Sequence, residues 1–414
     1  MALTLVDSPD THTPCYNPQG FILSSTNTAQ PNFTYHFILT INSVVITRDI
    51  DANPIDNLFY FDAQKNVESY CKNEFYPTIL DFQFSLDGAI RKVDWSIQEK
   101  YGSPPALQGA ATTGTYYVWN AAYKTVDFPA YAFGTTTKSK DLTLAPSLTD
   151  NIHMDQKYLF KTFHIAFSTR ILYRMTITAL DSGGTPTVSV IENQFATISS
   201  YVRNYIIVNL SPYCLNNFLG GAIISGTPGA IIPVGTVSYT ITFYDNAGPP
   251  NISSNTYTVY IRDFCSRYDR YVLHFLNRLG NYDSFTFNML NRETSENKQS
   301  TYKKFAARKI GSSYTYYAYD SDTISYSTVI TRKLLLNSDN ITDSQMAWLD
   351  ELFHSPSIYL ETPDDTTVVG DQRALYAVSL TNRGPFEKKK KVNEKIFNVT
   401  LEVQYSFEDV RQRG

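Results

Sequence analysis

The pattern of apolar and polar positions predicts a chain built mainly of β-strands. Residues 33–47 form a run of β-branched and aromatic residues with partial alternation, and the run breaks at the turn residues 51–54. Near the C-terminus the alternation is strict, because apolar residues at 397, 399, 401, 403 and 405 share one face of the predicted strand. A face of this kind must pack on a core.

Short strands separated by turn residues recur at regular intervals between residues 155 and 263. Strands at this spacing, joined by loops rather than helices, are typical of an immunoglobulin-like β-sandwich. We therefore predict one such module over residues 155–263. Its candidate strands are 159–167, 171–179, 187–191, 205–210, 237–244 and 256–262.

The chain before this module predicts an extended arm and a further β-rich module. Residues 1–30 are rich in Pro, Asn, Ser and Thr, which favours an extended N-terminal arm over a regular element. Residues 31–154 predict a β-rich module with long loops and one short helix at 66–75. Within it, residues 79–99 predict a hairpin that turns at Asp87-Gly88.

Residues 264–414 combine strand patterns with the clearest helix signal of the chain. Thr342 is the expected N-cap, Gln345 completes a capping box, and Pro356 stops the helix. We predict a C-terminal α+β module with this one well-capped helix. The predicted fold class is therefore mainly β and multi-domain, with β-sandwich modules that include the immunoglobulin-like one.

Composition narrows the classes of protein that fit this pattern. Of 414 residues, 43% are hydrophobic and 18% are charged, and the net charge is −4. These values argue against intrinsic disorder and against a general attraction to nucleic acid or anionic lipid. The most apolar run, 219–237, is interrupted by Gly and Pro, so we expect no membrane span. The first residues lack a secretory signal, which predicts synthesis in a cytoplasm.

No residue pattern predicts a catalytic or metal site. The four cysteines show no C-x-x-C spacing, so we expect free, buried thiols rather than a zinc site or a disulfide framework. The six histidines are dispersed, and the usual nucleotide-binding, zinc-protease and serine-hydrolase motifs are absent. A role for His274 as a base or ligand stays open beside the commoner packing role. The sequence thus predicts no catalytic residue, no metal ligand and no cofactor.

Two segments are candidate subunit contacts. The aliphatic segment 219–233 is either buried as a hairpin or sandwich edge, or exposed as a contact loop. The tyrosine cluster at 314–319 either packs as ordinary strand residues, lies in a subunit interface or stacks on a ligand. The candidate interface residues are Leu219, Ile223, Ile224, Ile231, Ile232, Tyr314, Tyr316, Tyr317 and Tyr319.

A run of four lysines is the main charged feature. Facing DNA, these side chains would bind phosphates and release counterions. The run also precedes a predicted strand, where solvated lysines are common and discourage edge pairing. Both interpretations stay open for Lys388, Lys389, Lys390 and Lys391.

Several longer segments of the sequence are similar to segments of a known protein family. They include FCSRYDRYVLHFLNRLGNYDSFTFN at 264–288, a D-x-x-x-x-W-L motif that starts at Asp343 and contains Trp348, and the ending KIFNVTLEVQYSFEDVRQR. The opening CYNPQGFILSSTNTAQPNFTYHFIL and the segment VDWSIQEKYG belong to the same set. Together these segments resemble tail-associated ring and baseplate structural proteins of Bacteroidota-infecting phages, and most closely the crAss-like phage tail ring proteins.

This resemblance implies assembly rather than catalysis. It implies a non-enzymatic ring or collar component below the portal, which builds the DNA-ejection channel and docks neighbouring tail proteins. The implied partners are copies of the chain in a dodecameric ring, the portal, other tail ring or hub proteins and, non-specifically, the DNA in the channel. The implied location is the virion tail, after synthesis in the host bacterial cytoplasm.

Two other functions compete with this expectation. The first is a receptor- or carbohydrate-binding tail or baseplate module, in which Tyr116, Tyr117, Trp119 and the 314–319 cluster would stack on sugars. The second is a depolymerase, which requires paired carboxylates in a groove and is commonly a repetitive β-helix. The chain shows no internal repeat of such a period, so we do not expect an enzyme.

Overall fold

The computed structural model divides the chain into two compact units. Unit 1 comprises Met1–Arg262 and Leu276–Asp283, and unit 2 comprises Asp263–Phe275 and Ser284–Gly414. The division after Arg262 lies next to the predicted boundary at 263/264. The structure describes residues 3–72, 83–84, 89–130, 140–142, 144–146, 149–164, 172–192, 205–217, 222–225, 231–245, 254–262, 267–319, 321–363, 375–381 and 396–410.

The N-terminal part of unit 1 contains two sheets around an aromatic core. Their orders are β1-β3-β6 and β2-β9-β8-β4-β5. Both sheets contribute to the core, for example through Phe21 of β3, Phe37 of β4 and Trp95 of β8. The strands are β1 (Leu3–Asp7), β2 (His12–Pro14), β3 (Gly20–Ser25), β4 (Thr34–Ile41), β5 (Val44–Ile50), β6 (Phe59–Asp62), β7 (Gln83–Phe84), β8 (Ile90–Tyr101) and β9 (Ala106–Trp119).

Two sequence predictions for this part are wrong. Residues 3–25 form strands β1 to β3 rather than an extended arm, because apolar side chains such as Phe21 and Leu23 are fully buried. In the described residues of the predicted hairpin at 79–99, β7 pairs with the later strand Tyr205–Asn209 while β8 pairs with β4 and β9, and the turn at Asp87-Gly88 lies outside them. The predicted helix is α1 (Gln64–Val67), which continues as a 3-10 turn over Glu68–Tyr70.

The second part of unit 1 is a β-sandwich, and it includes β7 and two further strands that precede the predicted module 155–263. Its sheets have the orders β10-β12-β15-β7 and β11-β18-β17-β13-β14-β16. Val208 of β15 and Ile177 of β13 lie in one buried cluster, so both sheets share a core. The elements are β10 (Lys140–Asp141), β11 (Thr149–Ile152), β12 (Phe160–His164), β13 (Leu172–Asp181), β14 (Pro186–Glu192), β15 (Tyr205–Asn209), α2 (Pro212–Asn216), β16 (Ala222–Ser225), β17 (Thr236–Asp245) and β18 (Tyr257–Ile261).

The segment Leu276–Asp283 belongs to unit 1 although it is distant in sequence. Its buried amides surround a buried carboxylate, because Asn277 Nδ2 and Asn281 Nδ2 donate to Asp283 at 2.9 and 3.1 Å. Asn277 Nδ2 also donates to the carbonyl of Leu142, and the indole N–H of Trp119 donates to the carbonyl of Leu279. These bonds satisfy polar groups that would be costly to bury alone.

Unit 2 is built on one large sheet with a helix. The sheet order is β20-β19-β26-β27-β29-β24-β21, and β30 pairs with β24. A small sheet pairs β22 with β23, and another pairs β25 with β28. The strands are β19 (Tyr271–Leu276), β20 (Tyr282–Phe287), β21 (Arg292–Lys303), β22 (Arg308–Ile310), β23 (Ser313–Thr315), β24 (Thr323–Asn337), β25 (Ile341–Thr342), β26 (Ile358–Glu361), β27 (Leu375–Leu380), β28 (Ile396–Phe397), β29 (Thr400–Tyr405) and β30 (Asp409–Val410).

The helix α3 (Asp343–His354) confirms the predicted capping box. The backbone N–H of Gln345 donates to Thr342 Oγ1, and the backbone N–H of Thr342 donates to Gln345 Oε1. Two otherwise unpaired donors are thereby satisfied at the helix N-terminus. Trp348 packs near Phe275 of β19, with ring centroids 5.7 Å apart. The helix therefore covers one face of the large sheet.

Candidate interaction surface

A long hairpin extends from the sheet of unit 2. Strands β21 and β24 pair from Arg292↔Leu335 to Lys303↔Thr323. At its inner end β24 also pairs with β29 and β30, out to Val329. Among the described residues, 323–328 pair with β21 alone, so the outer part is a two-stranded ribbon. At about 3.3 Å per residue this ribbon is roughly 20 Å long. We call residues 292–337 the arm.

We call the paired strands β21 and β24 the stem of the arm. Strand β21 is exposed because its sequence is polar on both faces, whereas β24 is mostly half-buried. All residues of β21 are exposed except Ser300, which is half-buried. Cross-strand contacts support the ribbon in place of a core: Lys333 Nζ lies 2.8 Å from Glu296 Oε2, and the rings of Tyr302 and Tyr326 are 6.2 Å apart. Charged side chains along an end strand of this kind discourage further strand pairing.

The outer loop of the arm carries a cluster of aromatic side chains. Phe305 lies edge-on to Tyr314 and Tyr316, with ring centroids 5.8 and 6.2 Å apart. Tyr317 and Tyr319 are stacked, with centroids 5.1 Å apart and planes inclined by 9°. Phe305, Tyr314, Tyr316 and Tyr319 are 69%, 66%, 67% and 71% exposed. We call these five residues the aromatic end of the arm.

Basic residues surround the aromatic end. Lys303, Lys304, Arg308 and Lys309 lie in the loop, and the guanidinium of Arg308 lies 5.5 Å from the ring centre of Tyr319. The loop 303–322 holds four of the 35 Lys and Arg residues and two of the 39 Asp and Glu residues. It therefore has a net charge of +2, and the rest of the chain has a net charge of −6.

The structure separates the predicted interface residues into two groups. Tyr314, Tyr316 and Tyr319 are exposed on the arm, and Tyr317 is half-buried beside them. Ile231 and Ile232 are instead buried in the core of the β-sandwich. Ile223 and Ile224 belong to β16, which pairs with β14 in the sandwich. The other predicted residues, Leu219, Lys388, Lys389, Lys390 and Lys391, lie outside the described residues.

Part of the predicted sugar-binding surface is buried. Tyr116 and Trp119 are 1% and 0% exposed, so neither presents a ring face to a ligand. Tyr117 is half-buried and stacks on His12, with ring centroids 5.3 Å apart. Tyr116 and Val118 face the aromatic core, and Tyr117 lies on the opposite face of β9. Trp119 is on the same face as Tyr117 by alternation but is buried, and its indole N–H donates to the carbonyl of Leu279.

One serine, one histidine and one glutamate lie in line in unit 2. The Nδ1 of His274 lies 2.7 Å from Ser284 Oγ, and its Nε2 lies 3.0 Å from Glu361 Oε2. These residues sit on the adjacent strands β20, β19 and β26, and His274 is fully buried. A nucleophilic serine needs such a partner, but it also needs space beside it for a substrate. The arrangement fits a satisfied packing histidine, the commoner interpretation of His274.

A shallow concavity of about 360 Å³ lies on the sheet of unit 1 and has a polar lining. Asp94 supplies the one carboxylate of this lining, beside Thr40, Ser96, Thr113 and Thr115. Burial raises the pKa of Asp94, but hydrogen bonds from Thr115 and Lys92 lower it, and the net direction is downward. General acid–base hydrolysis of a glycan needs a second carboxylate, so this concavity lacks the required pair.

The remaining features offer no metal or membrane site where the structure can be described. Within those parts of the chain, no three His, Cys, Asp or Glu residues are grouped closely enough to hold a metal ion. None of the described helices is long and apolar enough to cross a membrane. The cysteines Cys15, Cys71 and Cys214 are buried thiols that form no disulfide, and Cys265 lies outside the described residues. Comparison with family models and with curated proteins gives no match.

Several residues of the arm were not predicted from the sequence as interface residues. Phe305, Lys304, Arg308 and Lys309 complete the basic aromatic loop but were not among the candidates. The strand β21 has no apolar alternation, so the usual strand signal is missing. The sequence does contain one usable signal: two Thr- and Ser-rich segments flank a segment with aromatic and basic residues, which is compatible with two paired strands and a loop.

Proposed function

We propose that this chain is a non-enzymatic structural component of a phage tail, a ring or collar protein below the portal. The segments that resemble crAss-like phage tail ring proteins supply the setting. The observation that carries the proposal is the exposed aromatic end of the arm. A two-stranded ribbon that presents such a cluster at its outer end is suited to contact another molecule.

The exposure of the aromatic end is unusual for a chain that acts alone. Large contiguous apolar patches are rare on monomeric proteins and mark interaction sites. Tyr and Phe are also enriched in interface cores, whereas the polar stem has the composition of free surface. A contact at the end of the arm would bury the side chains that the fold leaves exposed.

The assembly we propose is a closed, dodecameric ring of copies around the DNA channel. In it, the arms contact neighbouring subunits, and the ring docks on the portal and on other tail ring or hub proteins. DNA would pass through the channel without sequence-specific contacts. A ring of this kind needs an interface between different surfaces of the same chain, which rotation then closes.

Light scattering after size-exclusion chromatography, together with negative-stain micrographs, tests this proposal. We expect the full chain to form closed rings at micromolar concentration, and antibodies against it to label the tail of the particle. A chain that stays monomeric at that concentration and is missing from purified particles would refute the proposal.

A receptor- or carbohydrate-binding module is the second candidate, because the exposed tyrosines of the arm could also meet a glycan. A glycan array and inhibition of phage adsorption by the purified chain separate the two functions. Saturable binding of one glycan class that is lost in Tyr316→Ala would favour the receptor role.

The line of Ser284, His274 and Glu361 calls for a direct test of enzymatic activity. We expect no hydrolysis of activated esters or of capsular polysaccharide above the background of the Ser284→Ala variant. If the wild type is active and the folded Ser284→Ala variant is not, the chain is an enzyme and the proposed structural role is wrong.

A further inference from the structure

We infer that the aromatic end of the arm binds an acidic surface of a second copy of this chain, in a head-to-tail contact. This inference rests on the proposed function, since it names the contact through which the copies assemble. It is carried by three observations: how the aromatic rings are packed, how charge is distributed along the chain, and how polar the stem is.

The rings of the aromatic end pack on one another, as aromatic side chains do in the core of a protein–protein interface. Tyr319 already has Tyr317 against it and the guanidinium of Arg308 over its ring. Phe305 likewise has Tyr314 and Tyr316 around it. The rings thus contact one another while Phe305, Tyr314, Tyr316 and Tyr319 stay largely exposed. An aromatic cluster of this kind suits the core of a protein–protein interface.

The charge distribution selects the second copy and the geometry of the contact. The loop 303–322 has a net charge of +2, so two arm ends would repel each other in a two-fold contact. The remaining residues have a net charge of −6, so the rest of a neighbouring chain is attractive to the loop. A contact between unlike surfaces of identical chains is heterologous, and rotation can close it into a ring.

The stem explains why the contact is confined to the outer loop. Its exposed strand β21 consists of polar and charged residues, which disfavour edge-to-edge strand pairing with another copy. The loop beyond it combines large aromatic side chains with Arg and Lys, and Tyr and Arg dominate the energetics of most interfaces. The arm therefore acts as a spacer with a binding site at its end.

Charge reversal at the arm end gives a sharp test. The variant Lys304→Glu/Arg308→Glu/Lys309→Glu reverses three cations in the loop, and its matched control is Lys65→Glu/Lys72→Glu/Lys124→Glu. The control changes net charge equally at exposed positions of unit 1. We expect the loop variant to weaken self-association by about tenfold or more, and the control to assemble like the wild type.

Zero-length cross-linking identifies the occupant in the same preparation. Amine–carboxylate coupling of mixed light and isotope-labelled chains should join Lys304 or Lys309 of one copy to Asp or Glu of another. Intermolecular links at these lysines that vanish in high salt support the inference.

Other outcomes overturn the inference in distinguishable ways. If the wild type assembles and the loop variant assembles equally well, the arm contact is wrong while the ring proposal stands. If the loop variant assembles normally but loses binding to a labelled oligonucleotide, the arm end contacts nucleic acid instead. If the wild type itself never assembles, the proposed function fails, and this inference fails with it.

Discussion

Gly114 lies at a point in unit 1 where a single methyl group should be costly. It faces Trp95 directly across the β8–β9 pairing. A Cβ atom on Gly114 would lie 2.6, 2.7 and 2.8 Å from Cζ2, Cε2 and Nε1 of that indole. Real Cβ contacts are longer than this, so Gly114→Ala must displace the tryptophan. Trp95 is 7% exposed and packs edge-on to Phe21, at 5.2 Å between ring centroids.

The expected size follows from overpacking in a dense core. Forcing an extra methyl group into packed surroundings costs about 1–3 kcal/mol. Replacing a strand glycine by alanine without a clash would instead stabilise by roughly 0.5–1 kcal/mol. Gly20 of β3 is the matched control, because a Cβ there meets no atom within 4 Å and its backbone needs no positive φ. The two variants should therefore change the free energy of unfolding in opposite directions and differ by about 3 kcal/mol.

Urea unfolding followed by far-ultraviolet circular dichroism measures this difference without relying on Trp95 fluorescence. We expect midpoints that differ by roughly 1 M, with unchanged dependence on denaturant. In the Trp95→Leu background, which lacks the indole ring, Gly114→Ala should cost at least about 1 kcal/mol less. Equal stability of Gly114→Ala and Gly20→Ala would show that the indole does not occupy the space over Gly114.

Three further predictions concern other described residues. Burial lowers the pKa of His12 to about 4 in the folded chain. As the pH falls below 6.5, His12 is therefore protonated in the unfolded chain while it is still neutral in the folded chain. We expect the free energy of unfolding to fall by about 3 kcal/mol from pH 7 to pH 4 through this group, and His12→Gln to remove that part of the pH dependence in urea titrations. The hydrogen bond with the Cys15 thiol and burial raise the pKa of Cys71 well above its usual range, so mass spectrometry should show iodoacetamide labelling of both thiols only after unfolding. Thr342→Ala should lower the free energy of unfolding by about 1 kcal/mol because the helix cap is lost. Thr342→Ser should keep most of the stability that the cap provides, and thermal unfolding of both variants measures the difference.

The sandwich strands could be predicted because each has an apolar face and is limited at its ends by turn residues. The prediction 171–179 corresponds to β13 (Leu172–Asp181), and 237–244 corresponds to β17 (Thr236–Asp245). The helix α3 was predictable for a local reason, since a capping box needs only residues three apart. Local and alternating signals of this kind do not depend on distant parts of the chain.

Long-range pairing accounts for the errors. Nothing near Asp87-Gly88 shows that β7 pairs with β15, far along the chain, rather than with β8. The composition of residues 1–30 predicts an extended N-terminal segment, yet Phe21 and Leu23 are buried against later strands and hold this segment in the fold. In the arm, β21 is a strand because β24 pairs with it, and its own polar sequence predicts none.

The segment Leu276–Asp283 determines how the chain could be divided for experiments. A fragment ending at Arg262 would lack residues that belong to the same compact unit. It would leave the indole N–H of Trp119 without the carbonyl of Leu279, and it would remove the amide shell around Asp283. A fragment of residues 1–283 keeps these bonds but leaves the buried strand β19 without its partner β26 and cuts through β20. Expression trials should therefore begin from the full chain.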